Sequence, residues 1–150
     1  MTANTGVTNM KWLGVWVDNS SGTLTDLSAY VTDPGEHGLE FAKAVQTGIG
    51  ERVENFTLGN PTASLTMKFR FDTVVAAHFT ALIDRLTPLS IDYRHGIGHA
   101  WEAGEPTFGC TSSATSGYIV TNVKWTAEDI TVDFDVFGGT APTFSTSAHT

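Results

Sequence analysis

The sequence predicts a mainly β protein, a β-sandwich or squashed barrel with one α-helix packed on it. Three observations carry that expectation. Across residues 63–72, Leu65, Met67, Phe69 and Phe71 alternate with Ser64, Thr66, Lys68 and Arg70, the period-two pattern of a strand with one dry and one wet face. The pattern returns near the end of the chain, where Ile130, Val132, Phe134 and Val136 face one way and Thr131, Asp133 and Asp135 the other. Only one stretch is convincingly helical, about residues 73–86, with Val75, Phe79, Leu82, Ile83 and Leu86 on one stripe.

The remaining elements follow in order. Residues 1–10 are small and polar and read as a flexible N-terminal arm. A single β domain then spans residues 11–139, and residues 140–150 form a tail of low apolar content. Lys11 to Asp18 is a strand carrying Trp12, Val15, Trp16 and Val17, its alternation blurred by Gly14. Asn19-Ser20-Ser21-Gly22 is a turn cluster, Asp26 to Thr32 a short extended piece, and Asp33-Pro34-Gly35 a strong turn signal. Residues 36–59 are apolar at irregular spacing (Leu39, Phe41, Val45), with Gly48 and Gly50 around Ile49. They read as a long hairpin or excursion with a mobile tip, and connections of that length in a compact domain are usually functional or disordered. Asp72 or Thr73 caps the helix, and Thr87-Pro88 ends it because the residue before proline avoids the helical region. Leu89 to Arg94 and Pro106 to Thr111 are extended, and residues 118–125 and 129–137 form a final hairpin around Thr126-Ala127-Glu128.

Composition narrows the function. The chain has 150 residues, 41% hydrophobic and 16% charged, and is rich in Thr, Ser and Gly. One domain of this size buries roughly two-thirds of its unfolded surface. Sixteen acidic against eight basic residues give a formal charge of −8, which leaves no electrostatic means of gripping nucleic acid. The lone Cys110 excludes an internal disulfide and reads as a small buried apolar residue. No apolar run approaches the ~20 residues of a membrane span, and the N-terminus lacks the parts of a signal peptide. A soluble protein made in the cytoplasm is expected.

No enzyme motif emerges. His95 and His99 stand at metal-ligand spacing with Glu102 and Cys110 downstream, but Gly96 and Gly98 between them argue against the helix that would aim both rings at one ion. They read as loop histidines, and His37, His78 and His149 add no cluster. Asp133 and Asp135, with Glu128 and Asp129 nearby, lie about 7 Å apart on one strand face, within range for acid–base work. Their place on a regular strand favours a solvated sheet face. Gly48-Ile49-Gly50 lacks the lysine of a phosphate loop. Trp12, Trp16 and Trp125 sit in strands and are expected in the core. Trp101, in a glycine-rich loop, is either a subunit contact or a locally packed side chain. No metal or cofactor is called for.

The order of elements resembles the tail tube (major tail) proteins of long-tailed bacteriophages, of the actinobacteriophage type. Asp26-Leu27-Ser28-Ala29-Tyr30-Val31 matches a "Leu-Ser-x-x-Val" element, and Thr47-Gly48-Ile49-Gly50-Glu51 a "Thr-x-x-Gly-Asp" turn. Gly59, Ser64-Leu65 and Asp72 then follow at the family's spacing before the helix, so the likeness covers about residues 26–137. Glu51 stands where the family more often has Asp, Leu58 replaces the first of a glycine pair, and the His95–His99 loop is unfamiliar. The resemblance implies a virion structural protein whose partner is itself, in stacked hexameric rings, together with other phage structural proteins, with DNA passing through unbound. It implies a long hairpin reaching a neighbouring subunit, for which Phe41, Val45, Ile49 and Trp101 are candidate contacts. It also implies a lumen that repels phosphate, with Asp133, Asp135, Asp92 and Glu128 as candidates to face it. A capsid-decorating or head–tail joining protein and, from another class, a monomeric ligand-binding β-sandwich using Trp101 remain alternatives.

Overall fold

β1 (Leu13–Asp18) is an interior strand of a five-stranded antiparallel sheet, pairing along both edges while its alternation turns Val15 and Val17 inward. It is flanked by β2 (Leu24–Asp26) and β7 (Ile91–His95); β8 (Thr107–Cys110) and β11 (Thr143–Ser145) follow outside β7. A second sheet runs β3 (Val31–Asp33), β6 (Ser64–Arg70), β10 (Asp129–Phe137), β9 (Gly117–Trp125). Among the described strands, β4 (Glu40–Val45) and β5 (Phe56–Thr62) pair only with each other. This computed structural model describes residues 10–50, 52–83, 86–138 and 141–150; the predicted N-terminal arm therefore lies almost wholly outside the described residues, as does Glu51.

The two larger sheets enclose the core. Leu65, Met67, Phe69, Ile130, Val132 and Phe134 are buried on one side, and Val15, Val17, Ile91, Tyr93 and Cys110 on the other. Phe134 marks a bulge, where the pairing of β10 with β9 shifts between Asp133 and Phe134 and Thr121 becomes the extra residue. The single helix among the described residues, α1 (Thr73–Thr80), is capped by Asp72, whose Oδ1 accepts the Val74 N–H at 2.9 Å. It buries Val75 and Phe79, the latter 5.0 Å from the Phe69 ring and 6.1 Å from that of Phe134.

Several sequence expectations are corrected. The helix stops at Thr80. Leu82 N–H then bonds Phe79 O and Ile83 N–H bonds Thr80 O, the tighter i→i+3 pattern that keeps Phe79 and Leu82 both facing the core. Leu86, expected on the dry stripe, is 83% exposed. The segment Asp26 to Thr32 is not one strand but the end of β2, a short 3-10 turn at Ser28–Tyr30 and β3. Phe71 lies beyond β6 and is exposed. The tryptophans are not core residues: Trp12 ends a 3-10 turn, Trp16 is on the outer face of β1, and Trp125 is 46% exposed on an edge strand. The C-terminal residues are no loose tail, since Thr143–Ser145 pairs with β8 and His149 is buried. No helix among the described residues is long and apolar enough to cross a membrane.

Candidate functional site

The excursion predicted at residues 36–59 is a hairpin, β4 and β5, with pairing that runs on to Thr62. Lys43 pairs with Leu58, Ala44 with Thr57 and Val45 with Phe56, and a bulge lies between Phe41 and Lys43. Gln46 N–H donates to Asn55 O at 2.7 Å, closing the ribbon before its tip. Lys43 Nζ sits 2.8 Å from Glu54 Oε1 and 4.5 Å from the centre of the Phe56 ring, a surface contact that steadies the two strands. At ~3.4 Å per residue the six residues of β4 alone reach about 20 Å.

What the hairpin lacks is a floor. Among the described elements β4 and β5 touch each other extensively and others only marginally. Every residue of β4 is exposed, as are Leu39 before it, Ile49 and Val53 in the tip, and Phe56 and Leu58 in β5; Val53 is 79% exposed and Val45 and Leu58 58% each. Phe41, Val45 and Ile49, expected at a subunit contact, are thus uncovered on one projection. Val53, Phe56 and Leu58 belong with them and were missed, although their apolar character inside an unpatterned stretch was the available signal.

A second open feature is the edge of the four-stranded sheet. β9 pairs only with β10 among the described strands, and beside it Ile83, Leu86, Val120, Val123 and Trp125 line an apolar groove. Trp101 is elsewhere. It joins Trp12 and Trp16 around a cleft of about 360 Å³ on the outer side of β1, with Gly14, Asp26 and Arg94. The Arg94 guanidinium lies 4.2 Å from the Trp16 ring centre and 5.2 Å from that of Trp101, so the chain's own cation fills the space between these indoles. Trp101 Nε1–H donates to Glu105 O at 3.0 Å. Of the two readings left open for Trp101, local packing is the one its contacts match.

The acidic candidates separate. Asp133 and Asp135 lie on the outer face of β10, Asp133 accepting from Thr66 Oγ1 at 2.7 Å and Asn122 Nδ2 at 3.3 Å. Asp135 is exposed, and Glu128 is exposed in the β9–β10 turn. The paired strands bring basic groups to the same face, Lys68 and Lys124 opposite Thr131 and Arg70 opposite Asp129, so it is mixed in sign. Asp92 cannot face a lumen: it is 0% exposed. Its Oδ2 accepts from Arg94 Nε at 3.0 Å and His149 N–H at 3.1 Å, and its Oδ1 from His149 Nδ1 at 3.1 Å. The C-terminal segment covers the face of β7 that alternation assigned to solvent. His149 therefore belongs to a buried cluster, completed by Thr143 Oγ1 at 3.2 Å from Nε2 and Thr107 Oγ1 at 3.4 Å from Nδ1.

The histidine loop gathers other groups than expected. His99, Glu102 and Glu105 bring ligand atoms within 4.8 Å of one another, without His95. Both Glu105 oxygens already accept backbone N–H groups, from Ile97 at 2.9 Å and Glu102 at 2.8 Å, which accounts for the arrangement as a loop brace. His95 instead turns towards His37, another histidine that belongs to a cluster: its ring lies 4.4 Å from Phe108 at 13° and 4.3 Å from Tyr93. Burial raises the Cys110 thiol pKa, as fits an inert core residue. No protein-family model matches the chain, and no curated protein does either.

Proposed function

We propose that the chain is a virion structural protein, a phage tail tube subunit that assembles into stacked hexameric rings around a DNA conduit. The observation that carries this reading is the β4–β5 hairpin. An isolated two-stranded ribbon is marginal in water, and this one adds a series of uncovered apolar side chains. Both shortcomings are met if the hairpin lies against a neighbouring subunit. The open β9 edge and its apolar groove offer further surface of the kind a subunit contact uses. The specific form, a tube of hexameric rings in the virion, rests on the likeness in element order to tail tube proteins. The chain's formal charge of −8 suits a conduit through which DNA slides without adhering.

Negative-stain microscopy of purified protein tests the reading. Stacked rings or tubes are expected, and deletion of residues 42–50 should leave a folded protein that no longer forms them. Small oligomers that bind capsid shells would replace the tube with a decorating role, and a monomer at every concentration would remove assembly altogether. Normal tubes from the deletion would show that the hairpin is not the contact.

A further inference from the structure

The hairpin leaves the body through a short crossing, residues 34–39, that runs from β3 in one sheet onto the face of the other. Its footing is aromatic. The His37 ring stacks on Phe108 at 4.4 Å and 13°, tilts against Tyr93 at 4.3 Å and 50°, and lies 6.0 Å from His95. Tyr93 and Phe108 are paired across β7 and β8, so His37 covers two neighbouring rings of one sheet face. Tyr93 Oη–H donates to Pro34 O at 2.6 Å, and Gly35 N–H donates to Asp33 Oδ1 at 2.9 Å. Beyond Leu39 β4 has only marginal contacts with the body, and β5 runs through Ala63 into β6, so this footing fixes the β4 side of the hairpin's base.

We propose that the crossing is an acid-sensitive anchor: uptake of protons by His37 and His95 breaks the His37–Phe108–Tyr93 stack and loosens the β4 side of the hairpin from the body. The anchor is a property of the single chain, whether or not it assembles. An imidazolium in this half-buried stack loses hydration, and a second imidazolium 6.0 Å away repels it. Burial accordingly lowers the His37 pKa, with His95 adding to the effect, against a smaller upward pull from a backbone hydrogen bond. Burial also lowers the His95 pKa, against a smaller upward pull from Asp92. The faces of Phe108 and Tyr93 attract a cation and so oppose part of this penalty. Of the other groups around the stack, Tyr93 stays protonated because burial holds its hydroxyl well above the usual value, and β8 presents uncharged Phe108. Asp33 and Glu36 flank the crossing, and Asp33 already accepts the Gly35 N–H. The sign follows from linkage. Both bases are harder to protonate when anchored than when free, so anchoring is at full strength above about pH 6.5 and weakens as pH falls below it.

Hydrogen exchange read by mass spectrometry at pH 7.5 and pH 5.0, corrected for intrinsic exchange rates, tests this on the full chain. Hairpin amides of residues 40–62 should lose about fivefold protection at pH 5.0, while those of β6 and β10 do not change. His37→Phe keeps a flat ring in the stack without a titrating group and should abolish the loss. His95→Gln removes the second charge and should reduce it. Wild-type protection that is the same at both pH values, or an equal loss in His37→Phe, would overturn the proposal; an equal loss in His95→Gln would remove His95 from it.

Discussion

Replacing Asp92 by Ala is expected to destabilise the chain by about 3–5 kcal/mol and to lift its C-terminal residues off the five-stranded sheet. The magnitude follows from the number and depth of its bonds. The carboxylate is 0% exposed and accepts three of them, from Arg94 Nε, His149 N–H and His149 Nδ1. A methyl group leaves all three donors without their acceptor in a site closed to water, and breaking a buried charge network in this way costs about 3–5 kcal/mol. For a domain of this size that is a fall of ~10 °C in Tm. Chemical denaturation gives the stability, and exchange of the residue 143–150 amides reports the loosened segment. The same substitution in a chain ending at Ser147, which lacks His149 and two of the three donors, should cost less by at least about 1 kcal/mol. Equal costs in the two backgrounds, or a cost below about 1 kcal/mol in the full chain, would refute the account of Asp92 as the clamp on the C-terminal segment.

Gly35→Ala should cost at least about 2 kcal/mol by chemical denaturation, because φ is +72° and a Cβ would lie 2.0 Å from the Thr66 carbonyl oxygen. Gly50→Ala, at φ +90° with nothing within 4 Å, should cost only the left-handed strain of ~1 kcal/mol, and equal losses would refute the close approach at Gly35. Replacing Asp133 and Asp135 together by Lys should preserve the fold, since the exchange is on an outer sheet face. Under the tube reading, phage carrying the pair build tails but eject DNA slowly at low salt, and ejection at the unmodified rate there would place both residues outside the bore.

The sequence was most legible where one face of an element is dry and the other wet. Leu65, Met67 and Phe69 in β6 and Ile130, Val132 and Phe134 in β10 are buried as their alternation predicts, and these strands pair with each other directly. It misled where something covers the second face. Asp92 alternates with Ile91 and Tyr93 like any solvent-facing acid; only the return of residues 143–150, distant in sequence and poor in apolar residues, buries it. Trp16 was misplaced for the converse reason. Large aromatic character suggested the core, yet its position between Val15 and Val17 assigns it outward, where Arg94 shields the ring. The His37 stack was illegible because it joins a loop to two strands 56 and 71 positions further along, at Tyr93 and Phe108. No local period records such a contact.

The hairpin joins these lessons to function. Phe56 and Leu58 alternate along β5 with Val45 opposite Phe56, and the described elements of the chain leave these side chains uncovered. Exposed ribbons of this kind invite indiscriminate pairing, and the chain carries devices that limit it. Glu40, Lys43 and Glu54 place charge along the ribbon, and the bulge between Phe41 and Lys43 interrupts its regular edge. Such features discourage a generic partner without covering Val45, Val53 or Leu58, and under the assembly reading selectivity rests with a surface shaped for them. Stability of the body and incompleteness of the hairpin are then separate properties of one sequence. The clean alternation of β6 and β10 secures the first, and the stretch between β3 and β6 leaves its apolar side chains uncovered.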